Sequence, residues 1–320
     1  MENKKISELR NTITNIDLFI CSASFESRCL SIINGLNRDS IQDILLVINK
    51  DEISSFSGNV DKFPPVAKKL EVSFNDSHDI IEKFSLFFAS YFKEIRRNIF
   101  MDITTFTHEG LLIVLKMLQL YRSKYNKLTI GYIGAKEYAT DEKDDENKWL
   151  SKGIKSIRSV IGYPGVLKPS KKNHLVILFG FELDRTINLI EQLDYEKVTF
   201  AFGSESDSIN TTHYNINKKR HEELMKTYKG ADKFEISLRD PYKTKEMLSK
   251  FLKQYIDYNN IIVPMSNKIS TVGVALYAMD NPNVQLCYIK PKEYNTTNYS
   301  IPSEECYIVD LDLPINEKCS

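Results

Sequence analysis

Leu128-Thr-Ile-Gly-Tyr132-Ile-Gly-Ala-Lys136-Glu137-Tyr138 returns later in the chain as Val284-Gln-Leu-Cys-Tyr288-Ile-Lys-Pro-Lys292-Glu293-Tyr294, the two sharing Tyr-Ile-x-x-Lys-Glu-Tyr. Each is a short apolar run of strand character that ends in polar residues. Working back from both, a second pair appears in the same order, Ile99-Phe-Met-Asp-Ile103 and Ile261-Ile-Val-Pro-Met265, each entering a Ser/Thr-rich turn and an apolar helical pattern. Before these lie amphipathic stretches, Asp79 to Arg97 and Lys243 to Tyr258. Further back, Leu70-Glu-Val-Ser-Phe-Asn-Asp76 answers Phe234-Glu-Ile-Ser-Leu-Arg-Asp240, and Ile44-Leu-Leu-Val-Ile48 answers Val198-Thr-Phe-Ala-Phe202. The series starts at Leu18-Phe-Ile-Cys-Ser-Ala-Ser-Phe-Glu26-Ser-Arg28 and Leu175-Val-Ile-Leu-Phe-Gly-Phe-Glu182-Leu-Asp-Arg185, where the arginine is displaced by one position.

Matching segments in one order with comparable spacing indicate an internal duplication. Short apolar runs alternating with helical patterns favour a mostly parallel sheet covered on both faces. The expected fold is therefore α/β, two tandem Rossmann-like units, each ordered strand, helix, strand, strand, helix, strand, helix, strand. The expected boundaries are 1–138 for the first unit, 139–173 for an acidic loop, extra strand and linker, and 174–320 for the second. In the middle segment, Ile157-Arg-Ser-Val-Ile161 reads as the extra strand and Gly162-Tyr-Pro-Gly165 as a turn; Cys306-Tyr-Ile-Val-Asp-Leu-Asp-Leu313 mirrors that strand at the end of the chain. The repeated Lys-Glu-Tyr, beyond the last strand of each copy, suits a symmetric packing role or a ligand contact.

The 320 residues, 42% of them hydrophobic, can build two cores. Lys plus Arg and Asp plus Glu both number 43, so no overall basic excess points to duplex nucleic acid or an anionic membrane. The opening residues lack a secretory apolar segment and no run is long enough to cross a bilayer, so a cytoplasmic, membrane-free protein is expected. Five cysteines without a Cys-x-x-Cys argue against a disulfide framework and a thiolate zinc site. No metal and no cofactor are expected: the histidines form no His-x-x-x-His pair, and Gly-x-Gly-x-x-Gly, Walker-type and Gly-x-Ser-x-Gly patterns are absent. His213 and His221 read as surface residues, and Lys218-Lys-Arg220 as a small basic cluster at a helix start.

Open parallel sheets bind ligands beyond the carboxyl ends of their strands. That rule selects the loops after the first and fourth strands. They carry Ser22, Ser24, Glu26, Arg28, Asp102, Thr104, Thr105, Thr107 and His108 in the first copy, and Gly180, Glu182, Arg185, Ser266, Asn267 and Lys268 in the second. Hydroxyls, an amide, cations and helix N-termini suit a nucleotide-like or phosphorylated ligand. The same residue types also serve as ordinary N-caps, and an acidic first turn complements a helix dipole. Asp102, at the buried end of a strand, is a candidate general base together with Glu26, with His108 or Lys268 to stabilise developing negative charge.

Asp102-Ile-Thr104-Thr-Phe-Thr-His108 resembles the Asp/Asn-x-Ser/Thr-x-x-x-Lys/Arg turn of CARF-type Rossmann domains, and two fused units of this kind resemble SAVED domains. His108 stands where those domains carry Lys or Arg, and the second copy has Pro264 in place of the acidic residue. The resemblance implies a sensor of cyclic or linear oligonucleotide messengers in prokaryotic antiviral defence, binding in a cleft between the units. The binding residues it implies are Ser24, Arg28, Thr104, Thr105, His108, Glu182, Arg185, Ser266, Asn267 and Lys268. The Arg-x4-6-His signature of HEPN ribonucleases is missing, so output would come from an effector partner or from the cleft itself. A nucleotide or phosphodiester hydrolase in the same cleft and a purely protein-binding subunit are the competing expectations.

Overall fold

A computed structural model of the chain describes residues 2–51, 58–93, 97–139, 142–144 and 147–315. Two compact units emerge, one made of Met1–Glu137 with Tyr299–Ser320, the other of Tyr138–Asn298. The first contains β1 (Glu2–Lys5), α1 (Leu9–Thr12), β2 (Ile16–Ser22), α2 (Ser31–Gly35), β3 (Ile41–Asn49), β4 (Lys68–Val72), α3 (Ser77–Tyr91), β5 (Arg97–Asp102), α4 (His108–Leu120) and β6 (Tyr125–Tyr138). The second contains β7 (Ser151–Lys152), β8 (Ser156–Pro164), β9 (Asn173–Leu178), α5 (Leu183–Gln192), β10 (Lys197–Gly203), α6 (Thr211–Thr227), β11 (Asp232–Ile236), α7 (Pro241–Leu252), β12 (Asn259–Pro264), α8 (Lys268–Asp280), β13 (Gln285–Lys290) and β14 (Glu293–Tyr294). The last strand, β15 (Ser300–Leu311), returns to the first unit.

The first sheet runs β1-β15-β6-β5-β2-β3-β4 and the second β11-β10-β9-β12-β13-β8. Strands β4, β3, β2, β5 and β6 are parallel neighbours, as are β11, β10, β9, β12 and β13. Counted within each copy the order is 3-2-1-4-5 both times, the Rossmann arrangement. Burial on both faces explains the runs: all seven residues of β2 except Asp17 are buried, as is every residue of β9 except Asn173. The outermost strands β4 and β11 carry Lys68, Lys69 and Glu71, and Asp232, Lys233 and Glu235, charges that discourage edge-to-edge association.

Three sequence expectations need correction. The stretch 139–173, expected as acidic loop, extra strand and linker, falls within the second unit: its extra strand is β8, antiparallel to β13 at the edge of the second sheet, while β7 pairs with β14 in a separate two-stranded sheet. Conversely, β15 follows the second copy in sequence yet joins the first sheet beside β6. Each copy therefore lends its sixth strand to the other copy's sheet, which periodicity cannot reveal because either sheet would bury the same apolar face. Next, Gly162-Tyr-Pro-Gly165 is not a turn; β8 continues to Pro164, with Gly162 and Gly165 at positive φ and an irregular register opposite Gln285–Cys287. A side chain at Gly165 would also collide with the Gln285 backbone, 2.7 Å from its nitrogen. Finally, α6 intervenes between the second and third strands of the second copy. Its 17 residues bury only Ile216 and Leu224, so the polar remainder masks its helical period.

The duplication extends to caps. Asp76 and Asp240 begin α3 and α7 by accepting backbone N–H bonds, from His78 at 3.0 Å and from Tyr242 at 2.9 Å. Their own N–H groups donate to the equivalent hydroxyls of Ser73 and Ser237, at 3.2 and 3.0 Å. Thr107 and Asn267 cap α4 and α8 in the same way, on Gly110 and Ser270. No helix among the described residues is long and apolar enough to cross a membrane.

Candidate functional site

In a 3-2-1-4-5 sheet the loops after strands one and four diverge to opposite faces, leaving a crevice at the carboxyl edge. In the first unit that crevice lies beyond β2 and β5. The Thr105 hydroxyl closes the distance between the two loops by donating to the Ser22 carbonyl at 2.7 Å. The Thr104 hydroxyl accepts from Ile133 N in β6 at 3.1 Å. His108 is the first residue of α4 and half-buried. Ser24 is buried and its hydroxyl accepts from Glu26 N at 3.3 Å.

Glu26 and Arg28 form a buried pair. Arg28 Nε donates to Glu26 Oε2 at 2.7 Å, and the same carboxylate oxygen accepts from the Ser300 hydroxyl at 2.8 Å, where β15 enters the sheet. Arg28 Nη1 reaches the Ile133 carbonyl at 3.1 Å. The second unit repeats the device. Glu182 Oε1 accepts from Leu150 N and Ser151 N at 2.8 and 2.7 Å, just where β7 enters, and Arg185 Nη2 donates to the Ile289 carbonyl at 2.9 Å. Ile133 and Ile289 are equivalent in the Tyr-Ile-x-x-Lys-Glu-Tyr repeat. The recurring Phe-Glu and arginine thus fasten the incoming exchanged segment and the fifth strand in each unit.

Lys268 opens α8, Ser266 and Asn267 precede it, and the Asn267 side-chain amide also donates to the Leu238 carbonyl at 2.6 Å. Strands β9 and β12 approach so closely at their carboxyl ends that a Cβ on Gly180 would lie 2.1 Å from the Met265 carbonyl oxygen. Gly180→Ala should therefore force backbone movement and destabilise the second unit by about 1–3 kcal/mol, read from its denaturant midpoint. An unchanged midpoint would show that the loops yield easily. The sequence-selected residues fall into two sets, Ser24, Glu26, Arg28, Asp102, Thr104, Thr105 and His108 on the first unit, and Glu182, Arg185, Ser266, Asn267 and Lys268 on the second.

No protein-family model and no curated protein matches this chain. The chemistry must be read from its own groups.

Asp102 is the outstanding one. Only 2% exposed, it accepts from Thr104 N at 2.9 Å through Oδ1, while Oδ2 has no hydrogen-bond partner among the described residues. Burial pushes its carboxyl up to about 7, against the opposing pull of the Thr104 hydrogen bonds and the Arg28 charge. The second unit has Pro264 at the end of β12, so the two edges differ in the one ionisable group that matters most. Glu182 is likewise raised, chiefly by burial, with its N–H donors and Arg185 working the other way. The four described thiols are poor nucleophiles: burial lifts Cys29 to about 12 and Cys287 to about 11, and raises Cys21 and Cys306 as well. Among the described residues no three His, Cys, Asp or Glu side chains cluster as metal ligands.

Several functional-looking residues have other positions than the sequence suggests. His221 is not a surface residue: its ring stacks on Phe202 at 3.8 Å and meets Phe179 at 4.7 Å. Arg220, read as part of a basic cluster, turns inward to the carbonyls of Phe181 and Lys148, its guanidinium 4.1 Å from the Phe181 ring centre. Glu109, fully buried in the first turn of α4, accepts from the Ser77 hydroxyl at 2.9 Å and links α4 to the start of α3. Only the pairing of repeats could have exposed the Glu26–Arg28 and Glu182–Arg185 devices; nothing in the local sequence marks Arg220 or Glu109.

Proposed function

We propose that the chain is a ligand-sensing component, of the kind found in prokaryotic antiviral defence, which takes a nucleotide-like or phosphorylated small molecule at the carboxyl edges of its sheets. The observation that carries this reading is the 3-2-1-4-5 order of both units, because it makes the loops at Ser22–Ser24 with 102–108, and at Gly180 with 266–268, switch-point loops. Well-capped helices α4 and α8 start there, each offering backbone N–H groups to an anion. Lys268 adds a cation at one of them. Signal output would pass to an effector protein.

A hydrolytic reading is favoured by Asp102 alone, since a buried carboxyl near neutrality, with one oxygen unpaired among the described residues, is suited to moving a proton. Glu26 is less suited to that role, being held by Arg28 and Ser300.

The test is a thermal-shift screen of the whole chain against mono-, di- and cyclic oligonucleotides, with each mixture analysed by mass spectrometry. A ligand present at a hundredfold over its Kd stabilises by about 2.7 kcal/mol, a shift of several degrees. Stabilisation with intact ligand, weakened at least several-fold by Lys268→Ala, is the expected result. Turnover abolished by Asp102→Asn would establish the hydrolase instead, and no response across the panel would leave neither.

A further inference from the structure

Three polar atoms in the second unit, Ser204 Oγ, Asn217 Oδ1 and His221 Nε2, are buried and have no hydrogen-bond partner among the described residues. Ser204 is only 4% exposed. Strand register and helix direction argue that they lie at one level of the sheet. The ladder between β10 and β11 is prolonged by the bond from Ser204 N to the Ile236 carbonyl, 2.9 Å, so Ser204 continues the extended backbone of β10. Its side chain therefore leaves the sheet on the same face as Phe202, two residues earlier. Helix α6 links β10 to the parallel strand β11 and so runs back along the sheet against the direction of β10. On it, Asn217 and His221 are four residues apart and share a face. His221 stacks on Phe202 at 3.8 Å. One turn back on the helix matches two residues forward on the strand, which brings Asn217 level with Ser204.

We propose that Ser204, Asn217 and His221 form a binding site for one internal water molecule, which donates to Asn217 Oδ1 and His221 Nε2 and accepts from the Ser204 hydroxyl. The site suits a small neutral molecule that donates and accepts at once. Left unmade, each of these bonds would carry the desolvation penalty of a buried polar group, whereas a water with three partners satisfies them together. The aromatic walls, Phe179 and Phe202, leave the histidine uncharged, its ring pushed down to about 3 by burial. With no charged group among its three polar atoms, the site has nothing to neutralise a phosphate or carboxylate, so it is distinct from the anion-binding edge proposed above and independent of it.

The assignment requires the Nδ1–H tautomer of His221, since Nε2 must accept. Long-range proton–nitrogen correlation spectra of the nitrogen-15-labelled full chain read that tautomer directly. Ser204→Ala, which keeps the backbone bond to Ile236, removes one partner of the water. It should move the His221 Nε2 resonance and lower Tm by roughly 2–6 °C. The Nε2–H tautomer in the parent protein, or a His221 resonance unmoved by Ser204→Ala, would overturn the proposal.

Discussion

Asp102→Asn is expected to make the protein more stable than the parent at pH 8 and to leave the two nearly equal at pH 4. The folded carboxyl titrates at about 7 and the ordinary value is 3.8, so the folded state holds its proton more tightly than the unfolded chain. Stability from this group is fully present below the ordinary value, is lost as pH rises through the interval, and levels off above 7. The difference corresponds to about 4 kcal/mol against the ionised form. Asparagine has nearly the same shape, keeps the acceptor for Thr104 N and cannot ionise. Other carboxylates titrate in both proteins, so the informative quantity is the difference between their urea-unfolding profiles at pH 4, 6 and 8. Profiles that run parallel would mean that Asp102 is hydrated or paired in solution. If the chain turns over a substrate through this carboxyl, the same substitution removes the activity while strengthening the fold, a separation that a merely structural residue would not produce.

The second large effect is expected at Arg28. It is 3% exposed and its guanidinium joins Glu26 to the carbonyl of Ile133. Removing it as Arg28→Ala leaves a buried carboxylate without its counter-charge and a strand carbonyl without a donor, a change worth about 3–5 kcal/mol. Arg28→Lys should recover little, since an ammonium cannot donate in the two directions the fork serves. Chemical denaturation of the three proteins measures this directly. The double variant Glu26→Gln with Arg28→Met should lie closer to the parent than Arg28→Ala does, because it takes both charges out of the interior. If Arg28→Lys matches the parent within about 1 kcal/mol, the arginine does not bridge the two elements as described.

Asp102 and Arg28 differ in how far their roles follow from the linear sequence. Asp102 stands out in a linear reading, as an acidic residue directly after Ile99-Phe-Met at the end of an apolar strand, where burial is implied by the strand itself. Arg28 also stands out, as a repeated feature, but the chemistry it suggested was ligand binding. In the fold its fork is directed at Glu26 and the fifth strand, a destination that depends on β6 lying next to β5 and on β15 arriving at Ser300. The displacement of the arginine by one position between copies is absorbed by the local backbone. Arg28 lies in a single 3-10 turn, whereas Arg185 lies within α5, and both reach the corresponding isoleucine carbonyl.

What the amino-acid sequence determined by itself was local and periodic: the apolar runs that become β2, β3, β5, β9, β10 and β12, the cap-forming residues Thr107 and Asn267, and the fact that the segments recur in one order. Such features act between near neighbours in the chain, through side-chain alternation and bonds a few residues long, so they can be read without knowing where the chain goes next. The tertiary structure alone decided which sheet receives β8 and which receives β15, which carbonyl each arginine finds, and which polar atoms come face to face beneath α6. Those outcomes depend on long-range pairing, in which a strand with one buried face is satisfied equally by either sheet until chain connectivity and the glutamate contacts at Ser300 and at Leu150–Ser151 select one.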